Sequence, residues 1–519
     1  MGKSTSRSDI RVPLALAAVL LLAGALRLFL LAGPQTELEA DEAIVGLMGR
    51  HILQGERPVF YYMQPYMGSL EAYLAAALFS VAGSSTFVLK LVPLSAALLF
   101  TGLVFATGYR LGGLAAAFVS GLYVALPPAF LALWSLKARG GYVEILVLGQ
   151  FVILLAMAVA ERRAVRPWEG AALGLLAGLG VWTNPLIGVY LVPVGIYLLL
   201  ALRRRLVGSW LLAAAVGAVA GSYPLLQYNL EHGFATAEAM FGGSWSLAEA
   251  PGYLSRVARV SLPILAGLAQ GSSSQRLFWP AFGSSSAASP LVAALVCGVL
   301  LVAVFYGAAK MLLRLRRSGA PGPEGLLAML LMVVPLVFAI SKFRELVTEP
   351  RYLLPLYSGV PLAAAAILAG RRVMRWIAPA LIALILALNV LSLAVLDPTL
   401  NLPDTAIGSV AANRAELARF LLDRGLDRVY TDYWIGYPLA FETQERVVPA
   451  VISGGFNRYI PYAHEVLVSR NPAFVFIDGS PEEKAYLARW QERGVEAKKG
   501  IVSIYSVYWD VRPLDLARP

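Results

Sequence analysis

Apolar runs of about membrane-spanning length recur through the first 400 residues, and they decide what this chain can fold into. A helix needs about 20 mostly apolar residues to cross a bilayer. Because hydrocarbon offers the backbone no hydrogen-bond partner, such runs are expected to be helical. The sequence therefore predicts an α-helical polytopic membrane protein with about 11 transmembrane helices. The predicted spans are 12–33, 86–109, 112–132, 141–160, 168–183, 186–202, 209–227, 290–313, 326–341, 352–369 and 374–396.

The charge content agrees with a membrane protein and argues against a nucleic-acid partner. Charged residues make up 14% of the chain, against roughly a quarter in soluble domains. The net charge of +11 could indicate nucleic acid, but the Lys and Arg residues lie in short clusters between the apolar runs. Such clusters mark the cytoplasmic loops of a membrane protein.

The positions of the basic clusters predict the orientation of the chain. They follow the N-terminal tail at every second loop, at Arg110 and within 162–166, 203–205, 314–317 and 371–375. The opposite loops, which include the long segments 34–85 and 228–289, are then extracytoplasmic. The predicted location is the inner (plasma) membrane of a bacterium, since the Ala/Leu/Gly/Arg-rich composition suggests a high-GC bacterial genome.

A composition change near residue 400 predicts two domains. Residues 1–400 form the transmembrane domain, and residues 401–519 form a soluble extracytoplasmic α/β domain with shorter apolar runs and evenly spread charge. Strands are predicted at 428–433, 447–452, 474–478 and 501–508. Ser480, followed by Pro481 and by Glu483 three residues on, predicts a helix start.

Ionisable residues near membrane depth are costly, and here they gather at the predicted outer face. A transporter would place such groups near the midplane, within broken helices. Their position therefore favours a surface-facing active site over a conduction path. The principal members are Asp41, Glu42, Lys137, Arg139, Glu144 and Arg351.

Asp41 and Glu42 allow two interpretations. They suit the N-terminus of a helix over Ala43–Leu53, where negative groups are stabilised. Alternatively, a carboxylate at the membrane surface can act as a general base. No metal or cofactor is certain, but Asp41, Glu42 and Glu144 could supply oxygen ligands to a divalent metal such as Mg or Mn.

Three patches of sequence resemble the GT-C glycosyltransferases, in the branch shared by protein O-mannosyltransferases and the lipid A aminoarabinose transferase. The stretch from Glu39 to Gly68 is similar to the first outer loop of that family. Glu349-Pro-Arg351-Tyr352-Leu-Leu-Pro355 resembles its "RY-x-x-P" helix start. Leu89-Lys-Leu-Val-Pro93 and Tyr109-Arg-Leu-Gly-Gly113 resemble the segment that follows its first loop.

The resemblance implies a GT-C-like fold and an inverting transfer of a monosaccharide from a polyprenyl-phosphate donor to an acceptor hydroxyl. It makes Asp41 the catalytic base, with Glu42 beside it, and Glu144 a second acidic position. Arg351 would hold the donor phosphate, and Lys137 and Arg139 could join it, since guanidinium groups pair well with phosphate. Candidate substrate contacts are Tyr61, Tyr62, Gln64, Tyr142, Asn184 and Tyr352.

Each of these roles has a structural alternative. Arg351 could be an interfacial anchor, and Glu144 could form a salt bridge to Arg139 or Lys137. Tyr61 and Tyr62 could belong to the aromatic belt of the membrane interface. Asn184, which precedes a proline, could simply form a turn.

The acceptor and the wider function stay open at the level of sequence. Gln64-Pro65-Tyr66 stands where the aminoarabinose transferase has Lys-Pro-Pro, so a lysine contact to the donor is missing. The acceptor could be a glycan, a lipid or a protein, and membrane lipid is a further partner. The rival functions are a lipid or solute transporter, an oligosaccharide or glycan ligase of similar layout, and a membrane-anchored interaction protein.

Overall fold

The structure is a computed structural model that describes residues 8–33, 37–162, 165–243, 245–269, 290–369, 374–394 and 405–519. Part of the predicted second outer loop, at 270–289, lies outside the described residues.

Helices dominate the chain up to residue 394. The α-helices are α1 (Ser8–Leu31), α2 (Ala40–Leu53), α3 (Leu70–Ala82), α4 (Thr86–Ala125), α5 (Ala129–Trp134), α6 (Tyr142–Arg162), α7 (Pro167–Thr183), α8 (Gly188–Leu202), α9 (Ser209–Gly221), α10 (Tyr223–Glu231), α11 (Ala235–Phe241), α12 (Ala250–Arg256), α13 (Leu262–Leu265), α14 (Pro290–Ser318), α15 (Pro323–Ile340), α16 (Val360–Ala369) and α17 (Met374–Ala394). Short 3-10 segments lie at Pro185–Ile187, Arg203–Leu206 and Arg351–Ser358, and a π-helical segment lies at Val257–Ser261.

Each of the eleven predicted spans coincides with helix, as expected for a multi-pass membrane protein. The predicted span 86–109 falls within α4, which breaks at Gly112 and Gly113, where the backbone is not helical, and the predicted span 112–132 covers the rest of α4 and the start of α5. Within the described residues, seven helices are long and apolar enough to cross a membrane, or eight if α9 and α10, bent by 66°, count as one span. The remaining predicted spans are shorter helices or lie within the broken ones.

Close packing between α7 and α9 relies on glycine. A Cβ at Gly174 would lie 1.9 Å from the carbonyl oxygen of Ala214, so a larger residue would force the two helices apart. Small residues allow this kind of approach between membrane helices. At the end of α7, the carbonyl of Thr183 accepts from Gly68 N at 3.0 Å, and Trp182 donates to Val59 O at 2.9 Å. The first outer loop is thereby fixed to the helical bundle.

The chain from residue 405 onward forms an α/β unit around a five-stranded sheet of order β2-β1-β3-β5-β4. Strands β1, β2 and β3 are parallel, whereas β5 runs antiparallel to β3 and β4. The elements are α18 (Thr405–Asp423), β1 (Arg428–Asp432), α19 (Tyr433–Glu442), β2 (Val448–Ser453), α20 (Ile460–Val468), β3 (Ala473–Ile477), α21 (Pro481–Glu492), β4 (Glu496–Val502), β5 (Tyr505–Arg512) and α22 (Leu514–Ala517).

Two local predictions in this unit have different outcomes. The hydroxyl oxygen of Ser480 accepts from Glu483 N at 3.1 Å, which confirms the predicted N-cap of α21. The single strand predicted at 501–508 is wrong, because this segment spans the turn between β4 and β5. Ser503, at φ 54°, makes that turn without a glycine or asparagine. The predicted domain boundary at residue 400 lies outside the described residues.

The α/β unit packs against α2 through α19. A Cβ at Gly46 would lie 2.4 Å from the ring of Phe441, so glycine is required for this contact. Arg50 donates from Nη2 to the carbonyl oxygen of Phe441 at 2.6 Å. Arg414 joins the two parts again, with Nη2 2.6 Å from Oε1 of Glu442 and 3.3 Å from the carbonyl oxygen of Leu38. These contacts place one edge of the sheet beside the first turn of α2.

Candidate active site

Asp41 lies in the first turn of α2 and keeps a partly open carboxylate. Its side chain is 23% exposed. Oδ2 lies 2.8 Å from Nη2 of Arg139, and Oδ1 accepts a 2.6 Å hydrogen bond from the hydroxyl of Tyr433. The Tyr61 hydroxyl is 3.1 Å from the Asp41 carbonyl oxygen and 3.5 Å from Oδ1. The carboxylate is thus held in one orientation while part of it still faces the surroundings.

Opposing effects act on the pKa of Asp41. Burial raises it, but the charge of Arg139 and the hydrogen bond from Tyr433 outweigh burial, and Arg458 and Arg351 add to their effect. The net pKa is therefore lower than that of an ordinary aspartate. At neutral pH the group is ionised and able to accept a proton.

Arg139 sits at the centre of three carboxylates. Its Nε lies 2.7 Å from Glu39, its Nη2 lies 2.8 Å from Asp41, and its Nη1 lies 3.0 Å from Glu349. The arginine side chain is only 6% exposed. Arg139 was predicted to bind the donor phosphate, but its hydrogen bonds go to these carboxylates. The geometry supports a positioning role for Arg139, with Asp41 held as one of its partners.

Glu42 is buried in a separate ion pair. Its Oε1 lies 2.6 Å from Nζ of Lys90 and accepts from Ala138 N at 3.0 Å, and its Oε2 accepts from Glu39 N at 3.4 Å. Both side chains of the pair are at most 2% exposed. The helix-start interpretation therefore describes Glu42, whose carboxylate is buried against Lys90. Lys137, predicted as a phosphate ligand, lies 3.3 Å from Glu39.

Arg351 is an incompletely paired cation at the same site. Its Nη1 is 3.5 Å from Glu349, and its Nε has no hydrogen-bond partner. The guanidinium carbon lies within 6.0 Å of the ring centres of Trp134, Tyr142 and Tyr352. The side chain is 21% exposed. Arg351 is thus held by aromatic faces and retains N–H donors for an anion.

Glu144 is 5% exposed, and within the described residues neither of its carboxylate oxygens has a hydrogen-bond partner. The neighbouring acid Glu71 accepts from the backbone N–H groups of Gly140 and Gly141 at 2.5 and 2.9 Å. Glu71 therefore orders the glycine turn just after Arg139.

The predicted substrate contacts fall into three groups. Tyr61 touches Asp41, while Tyr142 and Tyr352 surround Arg351. Tyr62 donates its hydroxyl hydrogen bond to Glu56 instead. The amide oxygen of Gln64 faces the α/β unit and accepts from both Nη atoms of Arg458 at 3.0 Å. Asn184 accepts from Leu186 N at 3.0 Å and forms the turn before α8.

Sequence reasoning missed two residues of the site, both in the α/β unit. Tyr433 directly follows β1, and Arg458 follows β2. Nε of Arg458 lies 3.3 Å from the hydroxyl of Tyr433, which binds Asp41. Ligands commonly bind at the carboxyl ends of neighbouring parallel strands, and this rule could have identified Tyr433 and Arg458 from the sequence.

The acidic residues do not fit the predicted divalent metal. Within the described ranges, no three Asp, Glu, His or Cys side chains stand close enough together to hold one. Glu42 is engaged by Lys90, and Asp41 is engaged by Arg139. Of the three predicted ligands, Glu144 alone has no cation partner among the described residues, and one carboxylate does not make a metal site, so no step is routed through a metal.

Two solved structures share this fold along nearly the whole chain. The crystal structure of ArnT from Cupriavidus metallidurans bound to undecaprenyl phosphate matches with a TM-score of 0.60 and 14% identity, covering 99% of this chain and 100% of that chain. The apo structure of ArnT from the same organism matches with a TM-score of 0.57 and 14% identity, over the same shares. No protein-family model and no curated protein matches the sequence. The fold predicted from the sequence patches, that of the GT-C glycosyltransferases, is confirmed.

Proposed function

We propose that this chain, which has the GT-C fold, is a membrane glycosyltransferase that moves a monosaccharide from a polyprenyl-phosphate donor to an acceptor hydroxyl. One observation carries the proposal: two complementary groups lie at the same end of the helical bundle. Asp41 is an ionised, partly exposed carboxylate, and Arg351 is an incompletely paired cation. A sugar phosphate transfer needs both groups, a base for the acceptor and a cation for the departing phosphate. ArnT, which has the same fold, has been crystallised with undecaprenyl phosphate.

The reaction in this proposal is a single displacement. Asp41 takes the proton of the acceptor hydroxyl, and the acceptor oxygen attacks the anomeric carbon from the side opposite the phosphate. The bond between that carbon and the phosphate oxygen breaks, and its electron pair stays on the lipid phosphate. Arg351 stabilises this developing charge through its free N–H donors. One displacement inverts the anomeric configuration, and Arg139 keeps Asp41 oriented throughout.

The sidedness of the site is a further part of the proposal. Arg351 begins a candidate span, and Asp41 lies beside the α/β unit, away from the basic loops near Arg110 and Arg314. By the positive-inside rule the site is then extracytoplasmic, in a bacterial plasma membrane. A glycan, a lipid or a protein is the acceptor, and the sugar is a hexose or a pentose.

A transfer assay with purified full-length protein tests the activity. The protein is incubated with a labelled undecaprenyl-phosphate sugar and bacterial membrane extract, and label in the acceptor is counted. Loss of a general base lowers the rate by about 10²–10⁴, so Asp41→Asn is expected to transfer at least about 100-fold more slowly. Asp515→Asn is the matched control, since that side chain is 94% exposed.

The outcomes separate the competing functions. Transfer by Asp41→Asn at the rate of the control would remove Asp41 as the base. Absence of both transfer and donor binding by the wild type would contradict the glycosyltransferase and favour a transporter. A separate experiment measures which side of the membrane the site faces. It uses one variant in which Cys297→Ser removes the native cysteine and Glu345→Cys introduces a thiol at a position that is 66% exposed. An impermeant thiol reagent should label that chain from outside the cell, and labelling only after permeabilisation would reverse the orientation.

A further inference from the structure

Arg458 is a buried cation whose contacts are all neutral. It is only 9% exposed. Its guanidinium meets the hydroxyl of Tyr433 at 3.3 Å, the carbonyl oxygen of Tyr62 at 3.4 Å and the amide of Gln64 at 3.0 Å. Across the part of the chain that the structure describes, Arg458 forms no salt bridge with a carboxylate. Two other buried arginines, Arg139 and Arg414, have carboxylate partners.

The rings around Arg458 also hold it without neutralising it. The guanidinium carbon lies 4.2 Å from the ring centre of Phe456 and 5.3 Å from that of Tyr61. Taking a charge out of water costs several kcal/mol unless an opposite charge compensates for it. Neutral hydrogen bonds and aromatic faces compensate only in part. A group that stays charged in such surroundings is well prepared to receive an anion.

Arg458 and Arg351 approach the same place from two parts of the chain. Arg458 reaches Asp41 through the shared hydroxyl of Tyr433, and the charges of both arginines favour the ionised form of Asp41 by lowering its pKa. Arg351 begins a candidate membrane span, whereas Arg458 comes from the loop between β2 and α20 of the α/β unit. The carboxylate assigned as the base therefore lies near two arginines in addition to Arg139, and one of these two comes from the α/β unit.

We propose that Arg458 is an oxyanion-binding residue of the active site, which takes a phosphate or carboxylate group of a substrate. The inference rests on the proposed function, since it places this group beside the carboxylate assigned as the base. The oxyanion has two possible sources, the phosphate of the lipid-linked donor and an acidic group on the acceptor. In either case its charge completes an ion pair that the free protein lacks, and it fixes the substrate against the α/β unit.

Binding measurements on the full-length protein in detergent test this inference. One arm measures the Kd for undecaprenyl phosphate, and the other measures the rise in Tm caused by inorganic phosphate. The variants are Arg458→Gln, Arg458→Lys and, as a matched control, Arg470→Gln, whose side chain is exposed on the same unit. Arg458→Gln is expected to weaken binding by about tenfold to a hundredfold in at least one arm, as for loss of a charge-assisted contact. Arg458→Lys should recover part of the loss, because it restores the charge without the planar fork.

The pattern of loss identifies the source of the oxyanion. Weaker binding of undecaprenyl phosphate would assign it to the donor. Unchanged binding of undecaprenyl phosphate, with a lost response to inorganic phosphate, would assign it to the acceptor. The inference would be overturned if Arg458→Gln, with a normal Tm, bound as well as Arg470→Gln in both arms. Failure of the wild type to bind undecaprenyl phosphate would instead count against the proposed function, and the phosphate arm would still report on Arg458.

Discussion

The hydroxyl of Tyr433 donates a 2.6 Å hydrogen bond to Oδ1 of Asp41, a residue 392 positions earlier in the chain. The donor begins α19 of the α/β unit, and the acceptor lies in the first turn of α2. The α/β unit thus contacts the carboxylate that the proposed chemistry uses. The bond both orients the carboxylate and stabilises its charge.

Removing that hydroxyl should slow transfer and change its pH dependence. A hydrogen bond to a charged group contributes about 1.5–3 kcal/mol, so Tyr433→Phe is expected to lower the transfer rate about tenfold or more. Because the bond helps to lower the pKa of Asp41, the acid limb of the pH–rate profile should move to higher pH. Tyr486→Phe, on a tyrosine that packs against Phe474 and Trp490, is the control. A slower enzyme with an unmoved acid limb would show that Tyr433 acts only on the fold.

The lowered pKa of Asp41 also sets the pH range in which this residue stabilises the fold. A carboxylate with a depressed folded-state pKa adds stability above its unfolded pKa, about 3.9, and this stability is lost as the pH falls through the folded value. The difference in unfolding free energy between wild type and Asp41→Asn should therefore be constant near neutral pH and shrink below about pH 4. Thermal unfolding in detergent from pH 3.5 to 7.5 measures it. A difference that shrinks between pH 5 and 7 would mean that the pKa is raised.

Loss of Arg139 should destabilise the protein far more than loss of an exposed arginine. Arg139→Gln leaves carboxylates of Glu39, Asp41 and Glu349 without their shared cation, and breaking a buried pair costs about 3–5 kcal/mol. Arg256→Gln breaks an exposed pair with Glu345 and should cost less than about 1 kcal/mol. Comparing Tm for the two variants checks this. Equal shifts would mean that the three contacts of Arg139 add nothing to stability.

Glu42 and Lys90 should behave as a structural pair in a double-mutant cycle. Lys90→Met alone leaves a buried carboxylate uncompensated and should cost about 3–5 kcal/mol. The double variant Glu42→Gln/Lys90→Met should lose less than the sum of the two single changes, because neither charge is left alone. Transfer per folded molecule should stay near the wild-type rate in Glu42→Gln. A loss as large as that of Asp41→Asn would make Glu42 part of the chemistry.

Docking of the α/β unit should depend on Gly46. The methyl group of Gly46→Ala would overlap the ring of Phe441, where a Cβ lies at 2.4 Å, and should push α19 away from α2. We expect lower transfer activity with little change in the helical bundle, and partial recovery when Phe441→Leu is added. Gly102→Ala is the control, since a Cβ at that helical glycine meets nothing within 4 Å. Activity is measured by transfer, and docking by protection of the α19 amides from hydrogen exchange.

The membrane part of the fold was accessible from sequence because its signal is local. Apolar runs located the helices, and alternating basic loops predicted that Asp41, Arg139 and Arg351 lie at one end of the bundle. The structure brings these three together, since Arg139 pairs with Asp41, and both Arg139 and Arg351 pair with Glu349. No periodicity distinguishes the roles within that group. Whether an arginine pairs with a carboxylate or remains open to an anion depends on distances between distant segments.

The contribution of the α/β unit could not be predicted for the same reason. Tyr433 and Arg458 look like ordinary residues after two strands, and tertiary contacts such as the packing of Phe441 on Gly46 place them beside Asp41. The hairpin of β4 and β5 was missed because Ser503 makes its turn, and serine gives no strong turn signal. The local sequence pattern located β1, β2 and β3, but the residues that the ends of these strands contact depend on tertiary packing.

The bond between Asp41 and Tyr433 also has a consequence for biosynthesis. Tyr433 lies 392 positions after Asp41, and all the described membrane helices precede Tyr433, so these helices are made before the two residues can meet. In a nascent chain already inserted in the bilayer, Arg139 could hold the Asp41 carboxylate, but the hydrogen bond from Tyr433 would still be missing. Docking of the α/β unit then acts as a maturation step, which completes the geometry that the proposed chemistry needs.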